Sequence, residues 1–220
     1  MYFTTTRGAG RRWLLSLAVV LVIGVSLMPR GSSASVEEQR ARLPPPAECP
    51  DKVTGTWQAL LWNERQATWY DYQLTIRRSA PSADPNGAGP LEGEMTSHYW
   101  TGVKSNEKPP PCEPGGREST VKMPGKGSID ANANLLFGAK TWEVDHITCG
   151  PPPRYNPDNF SGKIETAINE FQSVNNDGGS AVNEPTVFRR IRCLDAPFRK
   201  TSKVPPPAFA PPKHAWSCGK

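Results

Sequence analysis

Apolar and polar side chains alternate with a period of two along most of the chain after residue 53. The clearest examples are residues 70–77 and 91–100, where every second side chain is apolar or small. Such alternation is typical of a strand that buries one face. No segment beyond residue 50 keeps an apolar period of 3.6 residues over three helical turns. The pattern therefore predicts an all-β domain of eight or nine strands.

Turn-forming segments rich in proline, glycine and asparagine separate the predicted strands, notably 79–90, 103–117 and 176–179. A proline triplet at 151–153 begins a further loop. The predicted strands cover about residues 55–62, 70–77, 91–100, 118–123, 127–132, 135–148, 160–168, 170–175 and 186–193.

Two segments of the chain resemble each other, and the repeat bears on how the strands connect. Residues 127–136 and 162–171 each place a glycine, a β-branched residue, an acid and then an asparagine in hairpin-like order. Repeated hairpins favour an antiparallel up-and-down barrel of about eight strands, which leaves no unpaired edges. A β-sandwich is the alternative.

The first 34 residues have the pattern of an export signal. Three arginines precede an uncharged apolar run at 13–28, and the small residues 32–34 follow it. The run would form about 24 Å of helix, which is short for a bilayer core of about 30 Å. Cleavage after Ala34 is therefore expected, and an uncleaved membrane anchor at 13–28 is the alternative. Either way the rest of the chain is exported, to the periplasm or the extracellular space, and contacts a membrane only through this segment.

Three further segments follow the signal. Residues 35–52 form a proline-rich tether with a short polar helix at 36–42, ended by the proline triplet at 44–46. Residues 53–193 form the barrel domain. Residues 194–220 form a proline-rich basic tail expected to lie outside the core.

The net charge of +5 is unevenly distributed along the chain. Residues 35–188 hold 14 basic and 20 acidic groups, whereas residues 189–220 hold eight basic groups and one acid. A nucleic-acid-binding domain usually combines a basic face with interleaved aromatic residues. The positive charge here lies in the signal, the last strand and the tail, so no nucleic-acid partner is expected.

All five cysteines lie beyond the signal, where disulfides persist after export. Cys49 precedes the first predicted strand and Cys193 ends the last, and these strands are neighbours in a closed barrel. We therefore expect disulfides between Cys49 and Cys193 and between Cys112 and Cys149. Cys218 remains as a spare thiol or, alternatively, links the chain to a partner.

No motif of an enzyme, metal centre or cofactor site is present, and we expect a non-catalytic protein without a cofactor. Asp145 and His146 with Cys149 do not form a convincing thiol site, since adjacent residues of a strand point to opposite faces.

The inward-facing aromatic positions are the candidate binding residues. The interior of an eight-stranded barrel is either filled by side chains or holds one small ligand. In the second case Tyr72, Tyr99, Trp142 and His146 would line the ligand pocket. Trp62, Trp69 and Trp100 lie at strand ends or on the opposite face, where exposure would indicate contact with a protein.

Gly55-x-Trp57, at the start of the first strand of an exported antiparallel barrel, resembles the calycin pattern of lipocalins and avidin-like proteins. Small barrel inhibitors of secreted metalloproteases look like the same architecture. The resemblance implies that Trp57 closes one barrel end and that a basic residue of the last strand, such as Arg190, packs across it. The resemblance implies a barrel and no particular ligand. From the absence of catalytic motifs we expect an exported, non-catalytic binding module, with a small apolar ligand in the barrel interior as the first candidate. The alternative is an accessory subunit, inhibitor-like or membrane-anchored, that binds a protein.

Overall fold

The computed structural model describes residues 35–80, 87–175 and 185–194. The expectations for the signal segment, for the turn at 176–179 and for the tail with Cys218 lie outside these residues. The elements are α1 (Val36–Arg42), β1 (Gly55–Asn63), β2 (Thr68–Arg78), β3 (Gly89–Thr101), β4 (Glu118–Ile129), β5 (Asn134–Gly138), β6 (Glu143–Cys149), β7 (Asn159–Glu165), β8 (Glu170–Asn175) and β9 (Pro185–Arg192).

Eight of these strands close into an antiparallel barrel, as the sequence predicted. The hydrogen-bonded order is β1, β2, β3, β4, β5, β7, β8 and β9, and β9 pairs back onto β1. The ninth strand, β6, pairs only with residues 118–122 of β4 and lies at the edge of the sheet. The sandwich alternative is therefore wrong.

The strand boundaries of the middle region differ from the prediction. Residues 118–129 form one continuous strand, and Gly125 and Gly127 lie within it rather than in a turn. A side chain at Gly125 would collide with the Phe137 ring, and one at Gly127 would collide with the Leu136 carbonyl. Glycine here permits close approach of neighbouring chain rather than a turn. The long strand predicted at 135–148 is instead two strands, since the chain shifts its pairing along β4 between β5 and β6.

Residues 35–43, expected to be part of a tether, are packed on the barrel. Ser35 caps α1 through a bond from the Glu38 amide, 3.2 Å. Gln39 is buried and bonds both the Pro185 carbonyl (2.8 Å) and the Val187 amide (2.9 Å) of β9. The side-chain amide of Gln39 thus pairs with β9 as another strand would, which holds the helix to the outside of the sheet.

The three tryptophans whose exposure would have indicated contact with a protein are buried. Trp62, Trp69 and Trp100 are in register across β1, β2 and β3 on the outer face, and each is at most 5% exposed. The loop segment 102–108 helps to cover these tryptophans. The indole nitrogen of Trp69 donates to the Val103 carbonyl and that of Trp100 to the Asn106 carbonyl, each at 3.1 Å. Trp62, Trp69 and Trp100 therefore form a second hydrophobic core on the outside of the barrel.

Both predicted disulfides are confirmed. Cys49 and Cys193 join the chain before β1 to the end of β9, with Cα atoms 5.5 Å apart. Cys112 and Cys149 join the 103–117 loop to the end of β6, with Cα atoms 5.7 Å apart. Two disulfides indicate an oxidising environment of the kind met by exported proteins. No helix within the described ranges has the length and apolarity to cross a bilayer.

Candidate functional site

Large aromatic side chains occupy the barrel interior. Trp57, Phe137, Phe160, Phe171 and Phe188 are each no more than 1% exposed. The ring of Phe188 stacks on Phe171 and meets Phe160 edge-on, with centroids 4.8 Å apart in both pairs. Trp57 contacts Phe171 edge-on at 5.3 Å. This part of the barrel is therefore a packed aromatic core.

Arg190 lies across Trp57 at one end of the barrel. Its guanidinium carbon is 5.3 Å from the centre of the indole ring, and the indole nitrogen donates to the Val53 carbonyl, 2.9 Å. Gly55 leaves room for the Arg190 stem, which a side chain at that position would displace. This is the arrangement that the calycin resemblance implies for the closed end of a barrel.

The Arg190 guanidinium is held by groups from two loops. It donates to the Asp51 carbonyl and to the side-chain oxygen of Asn169, a residue with a positive φ of 54° in the turn between β7 and β8. Burial lowers the pKa of Arg190, while the charge of Asp51 raises it. Asp51 also accepts from Arg78 at 2.6 Å. These contacts cross-link the loop before β1 to the end of β9.

Four tyrosines, Tyr70, Tyr72, Tyr99 and Tyr155, form a connected cluster at the other side of the aromatic core. Tyr72 contacts Phe160 at 5.2 Å and Tyr70 at 5.7 Å, and Tyr99 contacts both Tyr70 and Tyr155 at 5.9 Å. Tyr72 is buried, whereas the other three are half-buried. The tyrosine cluster therefore joins the packed core to solvent.

Tyr155 and Asp158 reach this cluster from the proline-rich loop between β6 and β7. The Tyr155 hydroxyl donates to the buried Asp158 carboxylate at 2.6 Å. Burial raises the pKa of Tyr155 well above its ordinary value, with further contributions from Tyr72 and Asp158. Ser97 Oγ is buried without a hydrogen-bond partner of normal geometry, although it lies close to the Tyr155 hydroxyl and acts to lower the pKa of that group. The cluster is thus polar at its centre.

The structure brings together three of the four residues expected to line a ligand pocket. Tyr72 and Tyr99 belong to the tyrosine cluster, and Trp142 meets Tyr155 edge-on at 6.1 Å. His146 lies apart, exposed on β6 opposite Thr120, whose side chain faces outward. Ligand binding by any of these residues stays a prediction.

Sequence reasoning missed Tyr155 and Asp158. They lie in a loop between Pro152 and Asn159 with no strand periodicity, so no regular pattern marks them as inward-facing. The only available signal was Tyr155 itself, a large ring among prolines and polar residues.

The outer surface carries a small acidic pocket at the start of β6. It has a volume of about 290 Å³ and is lined by Trp142 with Glu94, Lys122 and Glu143, among others. Lys122 pairs with Asp145 at 2.7 Å. The pKa of Lys122 is raised, first by its hydrogen bond to Asp145, and also by the charges of Glu94 and Glu143. Three carboxylates therefore surround one ammonium group.

Residues 35–80, 87–175 and 185–194 contain no cluster of three or more histidine, cysteine or acidic side chains suited to a metal ion. Comparison of the chain with protein-family models, curated proteins and solved structures found no match.

Proposed function

We propose that the protein is an exported, non-catalytic binding module that recognises another protein with the outside of its barrel. The filled interior carries this proposal, since five large aromatic side chains occupy the space that a carrier would need for its ligand. The outer surface, by contrast, offers an extra strand, β6, of which only Cys149 is buried.

Export and barrel type belong to the same proposal. The two disulfides support export. We propose that the signal segment directs this export and that any membrane contact is made through residues 13–28. The contact between Trp57 and Arg190 supports kinship with calycin barrels, in which a tryptophan and a basic residue close one end. Within that group the protein would resemble barrels that bind proteins rather than those that carry apolar ligands.

Site-specific photo-crosslinking tests the proposal. A photoreactive side chain placed at the exposed Ile147 of β6 should give a discrete crosslinked species in the exported fraction of the source cells. The same group at the exposed Gln73, on the outer face of β2, is the matched control and should give none. Absence of a specific crosslink from all outer-face positions would overturn the proposal.

One observation favours a small-ligand carrier as a second candidate. Ser97 Oγ is buried beside the half-buried Tyr99 and Tyr155 without a hydrogen-bond partner of normal geometry, so a ligand that displaces Tyr155 would find a polar group to bind. Titration with apolar and phenolic compounds, followed by tryptophan fluorescence, tests this candidate. Saturable quenching that disappears in Trp142→Ala supports the carrier, whereas no saturable response in either protein excludes it.

A further inference from the structure

The β6 strand has one unpaired edge. It bonds β4 on one side only, and no backbone hydrogen bond joins residues 143–149 to another part of the described chain. Val144 and Ile147 are 39% and 36% exposed. An unpaired strand edge presents amide and carbonyl groups to which an extended chain can add as a further strand.

The acidic pocket lies at the beginning of the same strand. Glu143 is the first residue of β6, and Trp142 directly precedes it. Glu94 adds a second lining carboxylate, and Lys122, the single lining cation, pairs with Asp145 beside the pocket. An aromatic face between carboxylates is suited to the ammonium or guanidinium group of a basic side chain.

We propose that β6 and the acidic pocket together bind an extended, basic segment of a partner protein. The backbone of that segment pairs with the free edge of β6, and one lysine or arginine side chain enters the pocket against Trp142. This inference rests on the proposed function and adds to it the binding surface and the chemistry of the partner.

The charge of this surface determines which occupant fits. Edge-to-edge pairing of β6 with β6 of a second copy would bring Glu143 and Asp145 of both copies together, which like-charge repulsion opposes. A basic strand instead meets complementary charge. The two register shifts between β6 and β4 twist the β6 strand. A partner chain can therefore pair with β6 over only a short stretch, unlike the long flat edge that promotes aggregation.

Peptide binding to the intact protein, with both disulfides formed, tests the inference. The probe is a fluorescent peptide of alternating threonine and valine with lysine at several positions. Controls are the same peptide with glutamate in place of lysine and the lysine peptide with alternate backbone nitrogens methylated. We expect saturable binding of the lysine peptide and at least about tenfold weaker binding of both controls. Equal binding of all three, or no binding of the lysine peptide, overturns the inference.

Two variants and one mapping measurement locate the site. Glu94→Gln with Glu143→Gln should weaken lysine-peptide binding about tenfold, whereas Glu64→Gln with Glu165→Gln removes the same charge from exposed positions elsewhere and should change it less than about twofold. Hydrogen exchange should slow within residues 143–149 when the peptide binds.

The outcomes separate this inference from the proposed function. Protection confined to another outer surface overturns the β6 site but keeps the protein-binding function. If light scattering shows a dimer, and the backbone amides of β6 are protected from hydrogen exchange without peptide, a second copy of the chain occupies the edge. That result overturns the basic-partner assignment. Saturable small-ligand binding without any peptide binding or crosslink overturns both.

Discussion

The indole of Trp69 stacks on the indole of Trp100 on the outer face of the barrel, with ring centroids 6.2 Å apart and planes inclined by 16°. Trp62 extends the row at 5.5 Å from Trp69. The Arg42 guanidinium carbon lies 5.1 Å above the Trp69 ring and pairs with Glu107 at 2.8 Å. A short helix and one loop thereby turn an aromatic outer face into a second hydrophobic core.

Arg42→Ala should lower the free energy of unfolding by about 1–2 kcal/mol, because it removes a largely buried cation from the Trp69 face together with its ion pair. Tryptophan emission should shift to longer wavelength as water reaches the second core. Lys104→Ala is the control, since its pair with Glu38 is exposed on both sides and, screened by solvent, contributes little to stability. Equal effects of the two variants would show that Arg42 does not hold the cover in place.

Arg190→Met should destabilise the barrel by about 2–4 kcal/mol, since it leaves the Asp51 carbonyl and the Asn169 side chain without their donor in a buried site. The methionine keeps much of the packing against Trp57, so the loss reports mainly the polar contacts. Arg192→Met, at an exposed position of the same strand, should change stability by less than about 0.5 kcal/mol. Chemical denaturation of both variants measures the difference, and similar losses would contradict the role given to Arg190.

Replacement of Cys49 and Cys193 by serine should cost about 1 kcal/mol more than replacement of Cys112 and Cys149. The reason is loop length, since the first disulfide spans 144 residues and the second 37, and a longer closed loop restricts the unfolded chain more. Denaturation under non-reducing conditions compares the two. Under reducing conditions both variants should match the reduced wild type, and the reverse order of stabilities would show that native contacts outweigh chain entropy.

Stability should fall at alkaline pH in a manner that depends on Tyr155. Burial raises the pKa of its hydroxyl in the folded state above the ordinary value of about 10. The stabilising contribution is therefore fully present below pH 10 and is lost as pH rises towards the folded-state pKa, because the unfolded chain ionises first. Unfolding free energies measured from pH 8 to strongly alkaline solution should decline less steeply in Tyr155→Phe than in the wild type. Identical slopes would contradict the prediction.

The strand pattern was predictable where alternation was uninterrupted. Residues 70–77 and 91–100 lie within β2 and β3 with the expected face inward, as buried Tyr72 and Met95 show. The pairing of Cys49 with Cys193 followed from the neighbourhood of the first and last strands of a closed barrel. The continuity of β4 was not predictable, because Gly125 and Gly127 have the composition of a turn but serve the close approach of Phe137 and Leu136.

The sequence by itself determined the alternation of faces, the all-β class and the disulfide framework. The alternation and the class depend on the period-two geometry of a strand, which is local, whereas the disulfide pairing follows from the order of the elements once the sheet closes into a barrel. Only the tertiary structure decided that Trp62, Trp69 and Trp100 are buried, that Tyr155 packs against the core and that β6 lies at an edge. Each of these outcomes depends on segments distant in the chain: α1 and residues 102–108 cover the tryptophans, and the shift in pairing along β4 separates β6 from β5.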